Sequence, residues 1–83
     1  MEPTTQDDIR QWLLRGKEEG ATHVIVVCDT FDYDDYPVMV SPKQSVHEVM
    51  EEYNGKNMQK IMEVYNLNMD LEKQLNEGRS YNL

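Results

Sequence analysis

A chain of 83 residues with 16 acidic and eight basic side chains carries a net charge of -8 and one cysteine. A chain this short buries only about 60% of its unfolded surface, so it makes one domain whose modest core would gain from association. Its charge repels phosphate backbones and anionic lipids, which argues against direct nucleic-acid binding and against a membrane surface.

The absence of any run of about 18 apolar residues, an opening "MEPTTQDDIR" without the apolar stretch of a signal peptide, and the lone Cys28 together give the expectation of a reducing cytoplasm. From the N-terminus, Thr5 followed by Asp8 reads as a capping box, and Ile9, Trp12 and Leu13 recur at helical spacing until Gly20. A helix is therefore expected over 6–19, with Trp12 anchoring it to a sheet. Residues 22–28, "THVIVVC", are β-branched and apolar without alternation, the pattern of a strand covered on both faces. "PVMVS" predicts a shorter strand over 37–41, with Pro37 at its start or on an edge.

Ser45 and Glu48 form a second capping box, and Val46, Val49, Met50 and Tyr53 carry a helix over 45–53 that Asn54-Gly55 stops. Beyond it, Met58, Ile61, Met62, Tyr65 and Met69 make one helical stripe, and Val64, Leu67, Leu71 and Leu75 make another about half a turn away. Two helices, 57–66 and 69–77, broken near residues 66–68, are the expectation. The second stripe needs cover, which a second copy of the chain would supply through Leu67, Leu71 and Leu75. Residues 80–83 read as a loose tail to a single α+β domain spanning 1–79. Two strands alone are marginal, so the sheet is expected to gain a strand from the N-terminal residues or from another copy.

The stretch "VIVVCDTFDYDDYPVMV" places four of the sixteen acids and three of the seven aromatics between two apolar runs. Its centre, Asp29, Thr30, Phe31, Asp32, Tyr33, Asp34, Asp35 and Tyr36, reads as a hairpin loop and as the candidate binding site. Phe31, Tyr33 and Tyr36 could stack on a base or a partner surface, while the aspartates accept hydrogen bonds. Phosphates of a nucleotide would fall to Arg10, Arg15 or Lys17, or to the helix start at Ser45. The bland alternative is an acidic, soluble turn with its aromatics folded onto the sheet.

Crowded carboxylates at Asp29, Asp32, Asp34 and Asp35 could instead hold magnesium or manganese, although the spacing lacks the glycine and distal glutamate of a calcium loop. His23 and His47 stand too far apart in sequence to suggest a shared metal, and Cys28 reads as a small core residue.

The runs "ATHVIVVCDTFDYDDYPVMV" and "NMQKIMEVYNLNMDLEKQLNEGR" resemble a family of short proteins encoded by bacteriophages and some bacteria, over about residues 5 to 79. The resemblance brings no assigned activity. It implies a context, that of small accessory phage proteins that bind a host protein or sequester a nucleotide immune signal.

Two functions follow. One is a non-enzymatic acidic binding protein, homodimeric or a higher closed oligomer, acting through the 29–36 loop. The other is a small metal-dependent phosphodiesterase or nucleotide hydrolase built on the aspartates. The first is preferred, because neither a general base nor a cationic phosphate clamp is visible beside the acids.

Overall fold

The computed structural model describes residues 4–55, 58–77 and 80–83. It is a small α+β fold in the order α1 (Gln6–Glu18), β1 (His23–Asp29), β2 (Asp34–Val40), α2 (Val46–Tyr53), β3 (Gln59–Asn66) and α3 (Leu71–Asn76). The three strands form one antiparallel sheet in the order β2-β1-β3. β2 and β3 thus run the same way on either side of β1, and α2 carries the chain across a sheet face between the two edges.

The unbroken apolar run of β1 is explained by cover on both faces. Val24 and Val26 point to one side, where Ile9 and Leu13 of α1, Leu75 of α3, Tyr65 and Leu67 complete a buried cluster. Ile25 and Val27 point to the other, against Val49 of α2, Val40, Ile61 and Val64. Trp12 packs against the first cluster as expected.

Helix α1 begins with the expected capping box: Asp8 N–H donates to Thr5 Oγ1 at 3.2 Å, and Thr5 N–H donates to Asp8 Oδ2 at 3.0 Å. It ends at Gly20, whose φ of 78° suits a residue without a Cβ. Ser45 is the N-cap of α2, but the side-chain bonds of the expected box are not made. Gln44 instead turns back, its Oε1 accepting from Ser41 N–H at 3.0 Å.

Residues 59–66 correct the largest expectation: they are a strand, not part of a helix over 57–66, and they supply the sheet's third member from within the chain. Lys56 and Asn57 lie outside the described residues. A β-bulge causes the misleading period. Val27 pairs with Ile61 but Val26 pairs with Glu63, so Met62 is an extra residue in β3. The insertion puts Met62 and Tyr65 of the first stripe, three positions apart, on the α1 side, and Ile61 and Val64, also three apart, on the other, where an unbroken strand would space same-face residues by two. The second apolar stripe is therefore divided between two faces: Val64 lies on the α2 side of the sheet, and Leu67, Leu71 and Leu75 lie on the side of α1 and α3.

The need for an external partner at that stripe falls with it. Leu67 and Leu75 are buried in the chain's own core, and Leu71 packs at its margin. The last described residues are not a loose tail either. Val64 N–H donates to Ser80 O at 3.1 Å, Asn82 N–H donates to Val64 O at 2.9 Å, and Tyr81 makes a parallel bridge to Val64 along the outer edge of β3. Tyr81 OH adds a bond to Ile61 O at 3.1 Å, and a ring nitrogen of His23 lies 3.0 Å from Leu83 O. The opposite edge carries Pro37 within β2 rather than at its start, where its missing N–H points outward at no cost to the ladder. No helix among the described residues is long and apolar enough to cross a membrane.

Asp70 caps α3 through Lys73 N–H at 3.1 Å, and the turn before it is closed by a buried amide. Gln74, 1% exposed, accepts from Asn66 N–H and donates to the carbonyls of Asn66 and Asp70.

Tyr65 provides a test at alkaline pH. Burial, then the hydrogen bond it donates to the Glu63 carboxylate, pushes its phenol well above the ordinary range. An acid held protonated in the folded state stabilises the fold fully below its unfolded pKa, about 10, and loses that contribution as pH rises beyond it. Chemical denaturation is expected to show stability falling above about pH 10, with a smaller fall in Tyr65→Phe.

Candidate functional site

The acidic and aromatic segment is shorter as a loop than the sequence suggests. β2 starts at Asp34, three positions earlier than the expected strand over 37–41, and Asp29 pairs with Asp34, which leaves residues 30–33 as the turn. Its backbone is held from within. Asp29 Oδ1 accepts from Phe31 N–H at 2.8 Å and from Asp32 N–H at 3.4 Å, and Asp29 O accepts from Tyr33 N–H at 2.6 Å. Such a self-bonded aspartate is the reason this residue type suits a turn. Thr30 clamps the tip to the start of β3: its N–H and its hydroxyl both donate to Met58 O, at 2.7 and 2.8 Å. Tyr33 and Met58 both adopt a φ of 60°, the left-handed region in which a large side chain is strained.

This framework thrusts two aromatic rings into solvent. Phe31 is 70% exposed and Tyr33 74%, beside Met58 at 58%. Asp32 and Asp34 are exposed around them. Tyr36, in contrast, turns onto the α2 face of the sheet, packs against that core and accepts a hydrogen bond from Gln59 Nε2. Burial pushes its phenol up. Of the three aromatics expected to bind, two are presented and one is structural.

The aspartates do not act as one cluster, because successive strand residues face opposite sides. Asp29 and Asp34 lie in one cross-strand row on the α2 side; Asp35 lies with Cys28 and Lys60 in the next row, on the side of α1 and α3. Asp29 is further committed to the turn. No three His, Cys, Asp or Glu side chains among the described residues stand where they could share a metal ion. Burial, followed by the Asp35 carboxylate beside it, pushes the Cys28 thiol up, so it stays protonated at neutral pH and is a poor nucleophile. His47 is exposed on α2, and His23 is engaged with Thr22 and Leu83.

The expected phosphate-binding cations are not gathered at the tip. Arg10 forms ion pairs with Asp7 at 2.9 Å and Glu72 at 3.0 Å, tying α1 to α3. Arg15 and Lys17 sit in the last turn of α1, which leads directly to the start of β1, whereas the turn follows its end; at about 3.3 Å per residue the strand keeps the two a sheet's length apart. Comparison of the chain with protein-family models, curated proteins and solved structures returned no match. The site therefore rests on its own geometry.

Met58 joins this surface although its spacing in the sequence puts it on a helical stripe. Only the pairing of β3 beside β1 brings it to the hairpin.

Proposed function

We propose that the chain is a non-enzymatic binding protein that grips a partner protein with the β1–β2 hairpin tip, Phe31 and Tyr33 entering an apolar socket whose rim is basic. The observation that carries this reading is the exposure of two aromatic rings on a turn whose backbone is held by Asp29 and Thr30. Large apolar side chains held this way lose little freedom on binding, and aromatic anchors ringed by polar groups dominate protein interfaces. Asp32 and Asp34, with a net charge of -8 behind them, would steer the tip towards cations. The resemblance to short phage proteins makes a host factor the natural partner and the host cytoplasm the place of action. A free Cys28 agrees with a reducing compartment. The hydrolytic alternative draws less support, since strand alternation divides its aspartates between two faces.

The test uses the intact protein as bait in bacterial lysate. A captured protein should be lost by Phe31→Ala/Tyr33→Ala and weakened as salt is raised from about 50 to about 500 mM. Both side chains are exposed, so folding stability should change by less than about 0.5 kcal/mol per site. Capture indifferent to the double substitution would refute the reading. A small molecule released by heating the wild-type protein, and absent from the variant, would shift it to nucleotide sequestration.

A further inference from the structure

We infer that the groove between α1 and α3 is the contact through which two copies of this chain associate. The groove encloses about 340 Å³ and has an apolar floor formed by Leu13, Leu71 and Leu75. Leu14, 54% exposed, projects on its α1 side and Met69, 51% exposed, on the side of α3. A twofold contact needs a projection and its receptacle on the same patch, since each copy must offer both. Leu14 beside this floor meets that requirement.

Charge selects the same occupant. Among the groove's lining residues the cations, Arg10 and Lys17, belong to α1, while the acids, Asp70 and Glu72, belong to the start of α3. A twofold axis parallel to the groove lays the α1 wall of one copy along the α3 wall of the other, twice. A merely acidic or merely basic partner would meet repulsion on one wall. A copy of the same chain, despite its net negative charge, brings the matching pattern to both. Arg10 is already bonded to Glu72, so Lys17 is the cation left to reach across to the partner's acids.

This contact is independent of the hairpin tip. Sedimentation velocity of the unmodified protein should show a dimer at roughly 100 μM that dissociates on dilution. Leu14→Lys and Met69→Lys, each at an exposed position and each checked for a native circular-dichroism spectrum, should raise the dimer Kd about tenfold or more. Lys17→Glu should weaken it in the same direction, and Phe31→Ala should leave it unchanged. A monomer throughout that concentration range would overturn the inference. So would a dimer that survives both lysine substitutions, or one that Phe31→Ala disrupts.

Discussion

Gln74→Leu is expected to destabilise the fold by about 1–3 kcal/mol. The side chain is 1% exposed and bonds three backbone groups, Asn66 N–H at 2.8 Å, Asn66 O at 2.9 Å and Asp70 O at 3.0 Å; the two carbonyls also accept from Met69 and Gln74 backbone N–H, so Asn66 N–H is the group the substitution leaves unpaired. It thereby extends the bonding of β3 past its last residue and ties it to the first turn of α3. Leucine matches its size and forms none of these bonds. A buried backbone group left without a partner costs about 1–3 kcal/mol, and part of the loss is recovered where water reaches the turn. Urea denaturation should show the midpoint falling with little change in slope. Gln74→Glu separates the two halves of the role. It keeps the acceptor for Asn66 N–H but places a carboxylate against two carbonyls, so its cost should grow as pH rises through the carboxylate range. A Gln74→Leu protein as stable as the wild type would show that the turn does not depend on this amide.

Gly16→Val should cost about 2–4 kcal/mol, against the expectation that replacing a mid-helix glycine helps. Glycine in a helix ordinarily gives up about 1 kcal/mol relative to alanine. Here it is buried against the sheet, and a Cβ in its place would lie 2.9 Å from Val24 Cγ2, 3.1 Å from Leu67 Cδ1 and 3.2 Å from Met39 Sδ. Leu67 and Met39 can rotate away. Val24 is β-branched and buried in the central strand, and it cannot. Gly16→Ala sets the gain in helix propensity against that single close contact and should change stability by about 1 kcal/mol or less. Valine adds two methyl groups to the same crowded place. Thermal unfolding of the pair decides the matter: a valine variant no less stable than the alanine variant would mean that α1 can ride away from the sheet.

What the residues revealed in advance was whatever depends on neighbours in sequence. The Thr5–Asp8 box, the Gly20 stop, the covered strand expected over 22–28 and found at 23–29, and the helix ending before Asn54-Gly55 are local signals, and the structure carries each of them. The third strand was hidden because its period is not its own. Met62 shifts the pairing by one residue, and a strand buried on both sides then shows apolar residues three apart, as an amphipathic helix would. The site was half legible. Acids and aromatics mark the hairpin, but which of them project depends on strand alternation, which turns Tyr36 inward and sends Asp35 to the opposite face from Asp34. Gly16 left only the weak signal of a glycine inside a helical pattern, since the approach of Val24 is invisible until the layers are stacked.

The two margins of the sheet are shut by different kinds of device. Along β2 the closure is covalent, a proline ring that cannot be lifted away. Along β3 it is conformational, a few residues at 80–83 resting on Val64 through hydrogen bonds. One margin thus carries a fixed interruption at Pro37, while the other becomes available whenever that short segment detaches. Any extension attached after Leu83 pulls directly on the removable guard, and an extension attached at the other end of the chain does not.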